Sequence, residues 1–209
     1  MPKSYSIGSG ERLRSILSAY RFPPSSVRAD SSLIPSLHSS KASYDNFVKA
    51  ITLTVIIGLI ALMGFISYLA YIEGGTRGLA VLVITVIIIA SVIVIPYLYS
   101  PREFIITTRG VLVKRLLKSF LIPMEDIAVV KKFSWTRRGI RLWASGGLYG
   151  FFGLFKISGL GRVWMYVTNR RNTILIEARR GVKYIISPDD LQAFMEKLRS
   201  LGVKVELQA

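Results

Sequence analysis

Few side chains in this sequence have the types and spacing that acid–base chemistry needs. Two adjacent carboxylate pairs, Glu125–Asp126 and Asp189–Asp190, come nearest to a general acid and base. Neighbouring residues of a strand point to opposite faces, so the first pair cannot act on one substrate. The second pair follows Ser187 and Pro188, which favour the start of a helix, where carboxylates stabilise the positive end of the dipole. We therefore expect structural roles for both pairs.

Nucleophilic, metal and phosphate chemistry also lack their residues. The chain has no cysteine and one histidine, His38, which lies in a serine-rich segment without a neighbouring ligand. Thiolate nucleophiles, zinc ribbons and histidine-dependent triads are thereby excluded. The glycines near residue 150 do not form GxGxxG, no Gly-Lys-Ser/Thr occurs, and Lys156 stands where a nucleophile elbow at Ser158 needs its first glycine. The sequence predicts no enzyme, no cofactor and no metal site.

One stretch has the composition of a binding surface. Residues 146–161 contain six glycines and four aromatic residues, and cations flank them on both sides. One interpretation is a flexible hairpin loop that enters the lipid headgroup layer, with its cations on anionic lipid. The alternative is that the aromatic rings complete a core and the glycines allow tight turns. The candidate lipid- or anion-contacting residues are Arg137, Arg138, Arg141, Lys156, Arg162, Phe151 and Phe152.

Two long uncharged runs precede this stretch. Ala50–Tyr71 has 22 residues and Leu79–Tyr99 has 21, and as helices each spans roughly 30 Å, the thickness of a bilayer core. The second run is rich in Val and Ile, which suits buried strands, but it is too long for a strand and contains no turn signal up to Ile95. The sequence predicts a transmembrane hairpin over residues 47–99 with spans 50–71 and 79–99. Neither span carries a charge, which is typical of an anchor rather than a transporter.

The basic residues near the spans predict the orientation. Arg28, Lys41 and Lys49 precede the first span and Arg102 and Arg109 follow the second, whereas the connector has Arg77 offset by Glu73. The positive-inside rule then places both termini in the cytoplasm. We expect a multi-pass protein of the cell membrane whose first span serves as an uncleaved signal anchor.

The regions on either side of the hairpin differ in pattern. Residues 1–46, with 13 serines, are predicted to form a disordered, basic cytoplasmic tail, in which Glu11–Phe22 has helical spacing and is either a surface helix or a transient one. Residues 100–209 contain short alternating stretches and end in an amphipathic helix that we expect to begin at Ser187. This pattern predicts an antiparallel open barrel of six or seven strands capped by a C-terminal helix.

Five stretches of the C-terminal region resemble the bacterial pleckstrin-homology (PH-like) domains. They are Tyr99–Phe104, Ile122–Ile127, Gly146–Gly153, Gly161–Thr168 and Ile186–Asp190, of which the last, with Phe194 downstream, is the most specific. The resemblance implies a mainly β, α+β PH-like domain over residues 100–209, behind two transmembrane helices, and a non-enzymatic role. It brings no catalytic motif, and the phosphoinositide-binding pattern of eukaryotic PH domains is not evident.

These features together predict a membrane-anchored, cytoplasmic, non-catalytic binding or scaffold module. The expected contacts are the bilayer itself, a protein partner or a second copy of the chain, and anionic lipid headgroups. The alternative is an RNA- or ribosome-associated membrane factor, since phosphates attract the basic C-terminal region in either case. A tethered domain meets headgroups at high effective concentration, which favours lipid or a membrane protein over nucleic acid.

Overall fold

The computed structural model describes residues 35–134 and 139–206. The segment before residue 35, with Glu11–Phe22, and the candidate residues Arg137 and Arg138 lie outside the described residues. The elements in chain order are β1 (Ser36–Lys41), α1 (Asn46–Glu73), α2 (Gly75–Tyr99), β2 (Pro101–Thr107), β3 (Gly110–Arg115), β4 (Phe120–Pro123), a 3-10 turn (Met124–Asp126), β5 (Ile127–Phe133), β6 (Gly139–Gly147), β7 (Gly150–Ile157), β8 (Gly161–Val167), β9 (Thr173–Ala178), β10 (Lys183–Ile186), α3 (Leu191–Ser200) and β11 (Lys204–Glu206).

The two uncharged runs form the helices α1 and α2, which are joined through Gly74. Both are long and apolar enough to cross a membrane. They approach most closely beside the connector, where Gly78 is buried against the backbone of Ala70 and a Cβ at Gly78 would collide with the Ala70 carbonyl. Over most of their length the large apolar side chains stay exposed, among them Leu53, Ile57, Phe65, Ile84 and Ile88. The predicted helical hairpin is confirmed.

Two sheets form the domain. The first has four antiparallel strands in the order β1-β2-β3-β4, and the second has seven in the order β11-β5-β9-β10-β8-β7-β6. The core between them includes Phe104, Phe120, Tyr166, Ile176 and Phe194, the last of these from α3. The expected C-terminal helix is present, and the open, mainly β fold is confirmed.

The sequence pattern predicts antiparallel strands throughout, but the second sheet contains parallel pairs as well. β10 runs parallel to β8, and β11 runs parallel to β5. β10 lies between β9 and β8 in the sheet and runs antiparallel to β9, so β9 does not pair with β8. The described domain also has ten strands from β2 onward rather than six or seven.

Residues 36–41 belong to the domain, whereas the sequence analysis assigns them to the tail. This polar stretch pairs antiparallel with β2, and its Ser39 hydroxyl donates to the Glu103 carboxylate. His38, expected to be solvated, lies 6.0 Å from the Phe194 ring in an edge-to-face contact. β1 has no apolar alternation, so its place is set by the free edge of β2 rather than by its own pattern.

Ser187 does not begin the last helix. α3 begins at Leu191, and the buried Ser187 Oγ accepts a hydrogen bond from the Thr168 backbone N–H at 2.9 Å. Asp189 instead holds the segment that leads into α1, because its carboxylate accepts from the backbone N–H of Ser43 at 3.1 Å. The Asp190 N–H donates to Ser40 Oγ at 3.1 Å. The motif that best marks the family resemblance therefore fastens the β1–α1 connection to the domain.

Asp45 joins α1 to the domain. It is the N-cap of α1 and accepts from the Val48 N–H at 2.7 Å, and it also accepts from the backbone N–H and Nε of Arg170, at 3.1 and 3.2 Å. Its own N–H donates to the Thr168 carbonyl at 3.1 Å. Burial raises the pKa of this carboxyl, but the hydrogen bonds from Val48 and Arg170 and the Arg170 charge outweigh burial and leave the pKa below its usual value.

We predict that Asp45→Ala lowers the free energy of unfolding by about 1–2 kcal/mol, since it removes an N-cap and the bonds to Arg170. Because the folded-state pKa of Asp45 is lowered, its contribution is complete above the unfolded-state pKa of about 4 and is lost as the pH falls through the folded-state value. Thermal unfolding of the full chain in detergent, followed by circular dichroism between pH 3 and 7, measures both effects.

Asp190→Ala is the matched control, because Asp190 is the N-cap of α3 but makes no side-chain cap hydrogen bond. It should cost clearly less than Asp45→Ala. Equal losses for the two variants, or a difference from wild type that does not shrink at low pH, would contradict the role assigned to Asp45.

We also predict that Gly153→Ala is strongly destabilising, by about 2–4 kcal/mol. Gly153 has φ +117°, and a Cβ there would lie 2.7 Å from the Ala144 Cα and collide with the Trp143 carbonyl on the paired strand. Gly58→Ala is the control, since nothing lies within 4 Å of a Cβ at Gly58 in α1. The melting temperatures of the two variants in the same detergent test this prediction. Equal melting temperatures would contradict it.

Candidate functional site

The β6–β7 turn lies against the base of the helical hairpin. The Tyr149 N–H donates to Thr52 Oγ1 of α1 at 3.0 Å, and its carbonyl accepts from Ser100 Oγ, directly after α2, at 2.8 Å. A Cβ at Gly147 would lie 3.0 Å from Ile51 Cγ2. Tyr149 itself adopts a positive φ of 56°, which this turn requires. The turn thus contacts both helices where they meet the domain.

Aromatic and cationic side chains surround this contact. The Tyr149 ring packs edge-to-face on Tyr97 at 5.3 Å, and Arg102 lies 4.2 Å from the Tyr97 ring centroid. On the other side Phe47 stacks on Phe151 at 6.5 Å. Arg170, which is bonded to Asp45, lies 3.5 Å above the Phe47 ring. Cation–π and aromatic contacts therefore add to the hydrogen bonds that fix the domain on the helices.

Three of the predicted cations, Arg141, Lys156 and Arg162, lie in the part of the chain that the structure describes. Lys156 on β7 and Arg162 on β8 are exposed and directly opposite each other in the register. They lie at the ends of their strands far from the turn that contacts the helices. Like charges placed opposite each other repel, so this pair favours a nearby anion. Arg141 on β6 is also exposed, and its Cδ would lie 2.8 Å from a Cβ at Gly146.

The predicted aromatic pair occupies two faces of β7. The glycine-aromatic stretch is a regular strand inside the second sheet rather than a flexible loop. Phe152 is only 8% exposed and belongs to the core between the sheets. Phe151 points to the other face and is partly buried against Phe47. For Phe152 and Phe155 the structure favours the alternative interpretation, in which the rings complete a core.

A cavity of about 790 Å³ lies where the domain meets α2. It is enclosed by the last turn of α2, the end of β3 and the strands β6, β7 and β8. Phe152, Trp164 and Tyr166 are its buried residues. Its exposed residues are Ile95 from α2, Lys118 from the β3–β4 turn, and Leu142 and Trp143 from β6. The cavity therefore has an aromatic interior and an apolar and basic rim.

Arg115 is the cation inside this cavity. Its guanidinium lies 5.7, 5.2 and 5.6 Å from the ring centroids of Tyr99, Phe120 and Tyr166. Burial lowers the pKa of Arg115, and burial raises the pKa of Tyr166 beside it. A guanidinium stays protonated in either case, so the site holds a partly desolvated positive charge.

Two N–H donors on the cavity lining have no acceptor among the described residues. They are Arg115 Nε and Trp164 Nε1, both of which are buried. Arg115 does donate through another nitrogen, to the Lys118 carbonyl. Within the described chain no carboxylate forms a salt bridge with Arg115. Neither nitrogen is accessible from the cavity, so a molecule in the cavity would not reach these two donors unless their side chains moved.

This cavity is not apparent from the sequence. Arg115 ends a strand with apolar residues before it, and Trp164 lies in a stretch that contributes to the family resemblance, but neither position carries a motif. Their proximity depends on two parts of the chain that are far apart in sequence. The sequence feature that could have indicated Arg115 is its position directly after the run Val111-Leu112-Val113-Lys114.

Comparisons with known proteins agree with this architecture. Residues 102–202 match the family model described as "Bacterial PH domain". An uncharacterised protein of Clostridium acetobutylicum is 31% identical over 91 residues, which are 42% of this chain and 30% of that protein. The chain thus matches less than a third of that relative's length. No solved structure matches the chain. Residues 102–202 are therefore similar to a bacterial PH domain, and two helices long and apolar enough to span a membrane precede them.

Proposed function

We propose that this chain is a membrane-anchored, non-catalytic PH-like module that binds a protein partner at the cytoplasmic surface of the cell membrane, assisted by contacts with anionic headgroups. Anchoring is supported by the long helices, whose large apolar side chains are mostly exposed to their surroundings. An apolar surface of this size is stable in lipid and would aggregate in water.

The charge distribution supports cytoplasmic termini. Lys41 and Lys49 flank the start of α1, and Arg102 and Arg109 follow α2. The connector has only Arg77, offset by Glu73. This asymmetry favours the domain side as the cytoplasmic side.

The observation that carries the binding role is the free edge of the second sheet. β6 is the last strand at that edge, and within the described chain it pairs only with β7. Ile140 is 69% exposed and Trp143 is 84% exposed, and both lie on this strand. An edge strand with exposed apolar side chains is a template for an added strand from a peptide or a second copy of the chain.

A nucleic-acid role finds less support. Single-stranded nucleic acids bind along basic grooves with several aromatic stacking platforms. Of the aromatic side chains in the described part of the domain, Trp143 is the one that is exposed.

The orientation is testable because the chain has no cysteine. We expect Thr76→Cys, in the first turn of α2 beside the connection at Gly74, to react with a membrane-impermeant maleimide added to intact cells. Ser39→Cys, in β1, should react only after the membrane is opened. Labelling of Ser39→Cys in intact cells, or of neither variant before lysis, would contradict the proposed topology.

The partner surface is testable by photo-crosslinking of the full chain in the membranes of its own source. A photoreactive residue at Trp143 is expected to give a discrete protein adduct, and adding Ile140→Asp should reduce that adduct severalfold, because an edge charge opposes strand addition. An adduct of twice the chain mass would identify the partner as a second copy. The control places the photoreactive residue at Lys132, which is exposed on the interior strand β5. Equal adducts from both positions, or no effect of Ile140→Asp, would refute the edge as the binding surface.

A further inference from the structure

We propose that the cavity beside the end of α2 binds one anionic phospholipid, with its phosphate against Arg115 and Lys118 and its acyl chains leaving past Ile95. This inference rests on the proposed membrane anchoring and adds a ligand and a site to it. It does not depend on the protein partner at β6.

The size and shape of the cavity suit part of a lipid. About 790 Å³ lies within the range of small-molecule pockets, roughly 300–1,000 Å³. That volume holds a phosphate headgroup and the first methylenes of the chains, while the remainder stays in the bilayer. Pro96 and Ile95 line the wall on the α2 side, and Ile95 is more than half exposed. The apolar wall of the cavity is thus continuous with the membrane-facing surface of α2.

The charge of the lining matches an anion. Arg115 and Lys118 line the cavity, and no Asp or Glu does so among the described residues. A partly buried guanidinium without a carboxylate is unfavourable unless an anion compensates it. Phosphate oxygens suit this role, because a guanidinium binds them through parallel charge-assisted hydrogen bonds.

The surroundings favour a lipid over a soluble phosphate. Leu142 and Trp143 extend the apolar rim away from the cations. Tyr99 and Trp143 have the amphipathic rings that sit at headgroup level in membrane proteins. A soluble phosphate compound would leave this rim in water, whereas acyl chains would cover it.

The test is a lipid titration of the delipidated full chain in detergent, followed by native mass spectrometry. We expect one phosphatidylglycerol molecule to bind per chain, more tightly than phosphatidylcholine. Arg115→Gln should weaken phosphatidylglycerol binding by about tenfold or more, as expected for the loss of a hydrogen-bonded charge. Lys118→Gln, on the exposed rim and thus tolerated by the fold, should weaken it by a smaller factor.

Lys156→Gln and Arg162→Gln are the matched controls, because each removes one exposed positive charge from the far end of the sheet. Both should bind phosphatidylglycerol as wild type does. Equal binding of the two lipids, an unchanged affinity in both Arg115→Gln and Lys118→Gln, or an equal loss in the controls would overturn the proposal. Binding of soluble glycerol 3-phosphate as tightly as the lipid would overturn the lipid as occupant.

A result that contradicts the lipid site can be distinguished from a result that contradicts the membrane anchoring. If the maleimide labelling gives the expected topology but the titration shows no preference for the anionic lipid, only the cavity proposal falls. If the labelling itself contradicts the topology, the anchoring falls with it.

Discussion

The fold depends on one carboxylate shared between two parts of the chain. Asp45 caps α1 through Val48 and at the same time binds the backbone and side chain of Arg170 in the domain. Neither α1 nor the β8–β9 connection can move without breaking some of these hydrogen bonds. Each bond contributes about 1 kcal/mol, but together they fix a direction as well as a distance. The helical hairpin and the domain are therefore positioned as one body.

The connection from α2 to the domain is short. Ser100 alone separates α2 from β2, and its hydroxyl donates to the Tyr149 carbonyl. The Ala42 N–H donates to the Arg102 carbonyl, so the incoming and outgoing chain are also bonded to each other. A flexible linker would let the domain sample many orientations above a membrane. These bonds remove that freedom, and a ligand at the junction meets helix and strands together.

The sequence predicted those elements whose pattern is local. Uncharged runs indicated both helices, and short strand-like stretches indicated β2, β3, β5, β6, β8, β9 and β10. β1 escaped prediction because Ser36–Lys41 is polar and derives its conformation from the edge of β2. β7 was open to interpretation as a loop because its glycines weaken a strand pattern, although Gly153 is needed for close contact with β6. Ser187 resembled a helix cap because its real partner, Thr168, is 19 residues away.

In the candidate site, too, the sequence indicates some of the charged residues and the fold indicates another. The basic residues that the sequence singled out, Lys156 and Arg162, are exposed at the far end of the sheet, where a positive charge costs little and needs no partner. Arg115 was not singled out, yet it is the cation that the fold places among aromatic rings without a carboxylate. Composition reports only the sum of these charges. Burial distinguishes them, because a charge removed from water must be compensated, whereas an exposed one is solvated. A charge that the protein keeps partly buried without a carboxylate is therefore a stronger indication of a ligand than the larger number of charges on its surface.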